Sequence, residues 1–319
     1  MAPPALKSGS RLETLLVRGE FVVTAEIGPP KGTAGRAVRE KAELLRTCTD
    51  AVNLTDNQTA VVRLSSIAAA VHVLQAGGEP IIQMTCRDRN RIGIQSDLLG
   101  AASLGIRNVL CLAGDHQSLG NHPEATGVYD LDTAGLISTI RRLRDEGCFL
   151  SGDPLTGDPP LFYIGAAANP LHEPPARLHR KIEAGADFFP TQAVYDLEAL
   201  SRWFEAAREE GILERAPILV GVIPPRSPRM LENLSRVPGI VIPEGVRRRL
   251  QEASDFEAES LVFTAELIAA IRSLRGPRGV HIMAVAWEKI VPELVRTAGL
   301  LPRPQAETWS GATSRAGVN

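Results

Sequence analysis

Eight short apolar runs, most of them followed by a longer amphipathic stretch, leave this chain few architectures to choose from. The runs are FVVTAEI (21–27), AVNLT (51–55), PIIQMTC (80–86), NVLCLAG (108–114), LFYIGAAA (161–168), DFFPTQ (187–192), PILVGVI (217–223) and GVHIMAV (279–285). Each has the length and content of a buried parallel strand. Between them lie helical patterns such as GRAVREKAELLRTC, VVRLSSIAAAVHVLQAGG and DLEALSRWFEAAREEG. Several end in Gly, which a helix C-terminus favours. Eight β-α alternations predict an α/β chain folded as a (β/α)8 TIM barrel. A dinucleotide-binding fold would want G-x-G-x-x-G after the first strand, and none is there.

The barrel accounts for residues 1–302 as a single domain, with extra helices around 231–274. Residues 303–319 are rich in Ser, Thr, Gly and Ala and read as a mobile tail. EKIVPELVRTAG reads as a last helix, although Pro292 falls in its first turns. With 44% hydrophobic and 23% charged residues and a net charge of −2, the 319-residue chain is expected to be soluble, with a large core. That balance argues against general binding to nucleic acid or membranes. No stretch reaches the roughly 18 apolar residues of a membrane span, and the N-terminus has no apolar signal core. A cytoplasmic location is the expectation. Cys48, Cys86, Cys111 and Cys148 lie far apart without C-x-x-C, and Cys86 and Cys111 read as small core residues. The six His are scattered and H-E-x-x-H is missing, so no metal is expected.

Polar residues interrupt the runs in a pattern. Along a barrel strand, alternate side chains face the interior and the surrounding helices. In the first run Phe21, Val23, Ala25 and Ile27 make one face; Val22, Thr24 and Glu26 make the other. Glu26, Thr55, Gln83, Asp115 and Gln192 all fall at C-terminal strand ends, the rim where barrel enzymes hold their chemistry. One polar residue there is ordinary loop capping. Five on different strands predict a polar mouth built to hold something. Glu26 matters most, because a buried charge is costly unless paired or hydrogen-bonded. From the residues alone, it is either an acid the site needs or the partner of a rim Arg or Lys.

TAEIGPPKG around Glu26, NLTDNQ around Thr55, MTCRDRN (84–90), LGIRNVLCLAGDH (104–116) and RKIEAGADFFPTQAVYD (180–196) carry a resemblance in their order and spacing. Together they resemble the 5,10-methylenetetrahydrofolate reductase family, above all its short bacterial members. The likeness runs from about residue 21 to residue 301. It implies a flavin-containing barrel that reduces the methylene group of methylenetetrahydrofolate to methyl. Glu26 matches the family's general acid, since the folate ring opens to an iminium ion when its leaving nitrogen is protonated. Desolvation favours the neutral, proton-bearing form of a carboxyl. Asp115 matches the acid that lies near the flavin, stabilises the cation and can hydrogen-bond the pterin. Gln192 matches the amide that contacts folate.

The resemblance also implies flavin contacts from Thr55, Asp56, Gln83, Gly114 and Asp115. Tyr129, Asn169, His172 and Lys181 match flavin-contacting positions more loosely. Gln83 stands where many members have His, and Ala113 where the family often has Arg. Arg87, Arg89 and Arg91 read as a solvated loop, or as contacts to phosphate or the folate glutamate tail. The expected cofactor is FAD, with FMN the other option; electrons come from NADH, NADPH or a reduced partner protein. A homo-oligomer is implied. Two alternatives stay open: a flavin-free pterin or methyl-corrinoid transferase on the same barrel, and a folate-binding subunit that takes its electrons from a partner protein.

Overall fold

All eight expected strands form, and all are parallel, in the computed structural model, which describes residues 5–305. They are β1 (Val22–Ile27), β2 (Ala51–Leu54), β3 (Pro80–Thr85), β4 (Asn108–Leu112), β5 (Tyr163–Ala166), β6 (Phe189–Ala193), β7 (Ile218–Val222) and β8 (Gly279–Ile282). Their order is β5-β4-β3-β2-β1-β8-β7-β6. Single bridges Gly165–Phe188 and Ala168–Thr191 join β5 to β6 and close the barrel. The chain is a (β/α)8 barrel.

Helices alternate with the strands on the outside: α2 (Gly35–Leu45), α3 (Ser66–Gln75), α4 (Arg91–Ser103), α5 (Thr133–Arg141), α6 (Arg177–Ala184) and α7 (Leu197–Glu209). Between β7 and β8 lie α8 (Pro228–Leu234), α9 (Glu244–Gln251) and α10 (Phe256–Ser273). The last helix, α11 (Val291–Thr297), has Pro292 in its first turn. An amide hydrogen there would have no helical partner, so the proline is tolerated. Of the segment expected to be a tail, residues 306–319 lie outside the described residues.

The strand alternation separates two cores. Val23, Ala25, Ile27, Val52, Leu54, Ile82 and Met84 point outward and pack with the helices. Val22, Ala51, Ile81, Leu110, Tyr163, Phe188 and Leu219 point inward and fill the lower barrel. A helix before the first strand, α1 (Arg11–Val17), plugs that end with Leu12, Leu15 and Leu16. It starts at a capping pattern: Ser10 accepts from the Glu13 amide, and the Glu13 carboxylate accepts from the amides of Lys7, Ser8 and Gly9.

Asp50, just before β2, fastens the same end. Its buried carboxylate accepts from the Val23 amide at 2.8 Å, from Arg11 at 3.1 Å and from Arg303 at 2.5 Å. Arg303 is itself nearly enclosed and also donates to the Phe21 carbonyl. Asp50→Ala would leave that guanidinium without its carboxylate. The expected loss is about 3 kcal/mol of unfolding free energy, seen as a lower urea midpoint; an unchanged midpoint would show that the ion pairs contribute nothing net.

Candidate functional site

At the C-terminal ends of the strands the inward positions turn polar and surround a cavity of about 480 Å³. That volume is within the usual range for small-molecule sites. Glu26, Asp56, Gln83, Gly114, Asp115, Asn169, Lys181 and Gln192, all expected from the sequence, line it. Leu110, Leu112, Pro190 and Met283 give it an apolar lining as well. Three expected residues are not among those lining it. Thr55 is buried just behind Gly28. Tyr129 is 41% exposed, and His172 lies on the surface of the loop after β5.

Glu26 meets no rim Arg or Lys, so the ion-pair reading of this carboxylate finds no partner among the described residues. It is mostly enclosed, with 12% of its side chain exposed. Gln83 Nε2 donates to its Oε2 at 3.3 Å. On the other side His281 Nε2 stands 3.9 Å from the same oxygen, and Thr24 Oγ1 is 2.9 Å from His281 Nδ1. Thr24, His281 and Glu26 therefore form a polar row from the barrel interior to the mouth. In the sequence His281 is one of six scattered histidines. Its signal is the alternation in β8, where Gly279 and His281 face in while Val280 and Ile282 join the outer core.

Gln192 reaches the mouth through an irregularity. The pairing of β6 with β7 shifts register between Pro190 and Ala193. A bulge of this kind re-aims a side chain. Gly221 on β7 permits it, since a Cβ there would lie 2.3 Å from the Thr191 carbonyl oxygen. Thr191 Oγ1 accepts from the Gly221 amide at 2.9 Å, and the Gln192 Oε1 accepts from the Ala193 amide at 3.0 Å.

Lys181 on α6 is not a free helix charge. Its ammonium donates to the Ala167 carbonyl at 2.6 Å beside the cavity. Burial pushes its pKa down, against the opposing pull of Glu173. Asp115 is exposed and its Oδ2 accepts from the Thr59 amide at 2.9 Å. The three arginines of CRDRNR are bound to carboxylates: Arg87 to Asp88, Arg89 to Asp56 and Asp97, Arg91 to Asp130.

Asp56 is fully engaged beneath the rim. It accepts from the Thr85 amide and hydroxyl and from Arg89. Thr55 Oγ1 and Asn169 Oδ1 are instead buried with no hydrogen-bond partner among the described residues. Buried polar atoms normally find one. With the amide of Gln83, the ammonium of Lys181 and the leucine lining, Asn169 Oδ1 suits a flat ring system with a polar edge, such as a flavin.

Asp56→Ala would remove an acceptor shared by three donor groups. The expected cost is about 3 kcal/mol, read as a fall in melting temperature; a melting temperature equal to wild type would show that the rim holds without it.

The profile of the family described as Methylenetetrahydrofolate reductase matches residues 11–299. Methylenetetrahydrofolate reductase 2 of Schizosaccharomyces pombe is 26% identical over 315 residues, covering 89% of this chain and 46% of the relative. The 5,10-methylenetetrahydrofolate reductase of Pectobacterium carotovorum is 23% identical over 72% of each chain. The chain thus spans less than half of the yeast relative. Among solved structures, an uncharacterized protein from Clostridium thermocellum that binds two copies of 5-methyl-5,6,7,8-tetrahydrofolic acid superposes with a TM-score of 0.58 at 18% identity, over 90% of this chain and 97% of that one. Tryptophan synthase from M. tuberculosis superposes at 0.50 and 13% identity, over 92% and 99%, so the likeness in shape shows the fold and no chemistry. With the match from residue 11 to residue 299, the chain belongs to the methylenetetrahydrofolate reductase family.

Proposed function

We propose that this chain reduces 5,10-methylenetetrahydrofolate to 5-methyltetrahydrofolate at the barrel mouth. The observation that carries the reading is Glu26: a nearly enclosed carboxyl with no basic ion-pair partner among the described residues but His281, facing a polar cavity in a chain of this family. A bound flavin, FAD or FMN, would supply the hydride. Gln83, Gly114, Asn169 and Lys181 would hold it, with Thr55 behind them.

The chain's own residues do the rest. Glu26 gives its proton to the leaving nitrogen of the folate ring, which opens that ring to the iminium ion. Gln83 holds the carboxyl in place, and His281 stands beside it. Asp115 sets a negative charge near the cationic carbon and accepts a hydrogen bond from the pterin. Gln192 presents an amide, both donor and acceptor, to the pterin edge. The leucine lining keeps water from the ring faces. Electrons arrive from NADH, NADPH or a reduced partner protein, and a homo-oligomer is part of the same reading.

The purified chain should be yellow or take up flavin, and should form methyltetrahydrofolate anaerobically with one of the three donors. Glu26→Gln should keep the flavin and lower kcat by about a thousandfold. Normal turnover by that variant would remove Glu26 from the role. A colourless protein that transfers a methyl group to a corrinoid would replace the reductase reading with the transferase.

A further inference from the structure

We propose that Arg87 is the positioning residue of the mouth: its guanidinium ties the loop after β4 to the loop after β2 and so sets where the Asp115 carboxylate stands. The inference rests on the role given to Asp115 above.

Arg87 lies two residues beyond β3, lines the cavity and is 3% exposed. Nη1 donates to the Asp115 carbonyl at 2.9 Å. Nη2 donates to the Asn57 carbonyl at 3.3 Å and to Asp88 Oδ2 at 2.7 Å, and Nε donates to Asp88 Oδ1 at 2.7 Å. The Arg87 backbone amide donates to the Ala113 carbonyl, and its own carbonyl accepts from Val128. One side chain thus joins the loops after three consecutive strands. A planar fork can reach two carbonyls and a carboxylate together; an ammonium on a flexible stem cannot. Four of the five Arg87 side-chain N–H groups are already donating within the rim.

A second tie depends on the first. The Thr59 amide donates to Asp115 Oδ2 at 2.9 Å. Thr59 has φ +54°, next to Ala60 at +55° and two residues after Asn57 at +47°. A β-branched residue avoids this left-handed region, and such backbone persists where its surroundings hold it. Arg87 holds the Asn57 carbonyl at one end, and Asp115 holds the Thr59 amide in the middle. Gly120 presses from the far side, since a Cβ there would lie 1.8 Å from the Ala60 carbonyl oxygen. The Asp115 carboxylate and the strained turn therefore stabilise each other, and Arg87 bonds to both segments.

The test compares wild type with Arg87→Ala and Arg87→Lys. It measures amide exchange in peptides covering 57–60 and 113–119, affinity for 5-methyltetrahydrofolate by calorimetry, and kcat and KM separately. Both variants should exchange about tenfold faster or more in the two segments while the strand peptides stay protected. Both should bind the folate about tenfold more weakly or worse, with KM rising in step. Free guanidinium ion should restore part of the affinity of the alanine variant. The lysine variant keeps a charge beside Asp88, so it reports even if the alanine variant does not fold. Wild-type exchange, or full folate affinity in Arg87→Lys, would overturn the proposal. If wild type itself binds no methyltetrahydrofolate, the functional reading falls, and the exchange result alone decides the clamp.

Discussion

An eight-stranded parallel sheet can stand as a barrel when its two edges find each other, because an open edge leaves backbone donors and acceptors unpaired. In this chain the closing edge is β5 against β6, and it is the sparest pairing in the ring. Amides of Ala166, Ala168 and Gln192 donate across it to the carbonyls of Phe188, Pro190 and Ala168. Gly165 lets the edges meet, since a Cβ there would stand 2.6 Å from the Phe188 ring. Phe188 then stacks on Tyr163, centroids 5.0 Å apart and planes within 5°, and fills the lower barrel. Asn169 and Gln192 follow directly from this seam. The shape of the mouth is therefore a result of how the ring closes.

The barrel interior changes character partway up. Below, seven inward side chains and three leucines of α1 make a closed apolar plug. Above, Thr24, Asn53, Gln83 and His281 are buried in positions that a purely structural barrel would fill with branched apolar residues. Both amide atoms of Asn53 lack a partner among the described residues. Unpaired buried groups of this kind carry a free-energy cost. Chains depart from local rules in this way mostly at functional sites. The polar upper layer and the dry lower one together give Glu26 a setting that is enclosed yet open toward the cavity.

The strands were legible because buried parallel strands are short apolar runs bounded by turns, and the helices because their apolar spacing differs. The rim was legible for the same reason: Glu26, Gln83 and Gln192 stand out against apolar neighbours. α1 was missed, although Ser10 and Glu13 make a capping pattern before LLV, because seven residues give too little periodicity to register. His281 was missed because its meaning lies in Thr24 and Glu26, more than two hundred residues away in sequence. The partners of the CRDRNR arginines stay hidden because sequence shows their charge and not the carboxylates that face them. Gln192 was placed correctly at a strand end, but the bulge that aims it depends on Gly221 of the next strand. Apart from α1, what sequence conceals here is pairing across strands.

Asp50 offers one more consequence. It receives Arg11 from the start of the described chain and Arg303 from its end, and Arg11 also donates to the Pro304 carbonyl. The two ends thus meet at one carboxylate, on the face away from the mouth. A tether pulled between them would strain this clasp before it sheared any ladder of strands. The same proximity would let a short linker splice the ends, so that the ring could be cut open at another loop with its order of strands in space unchanged.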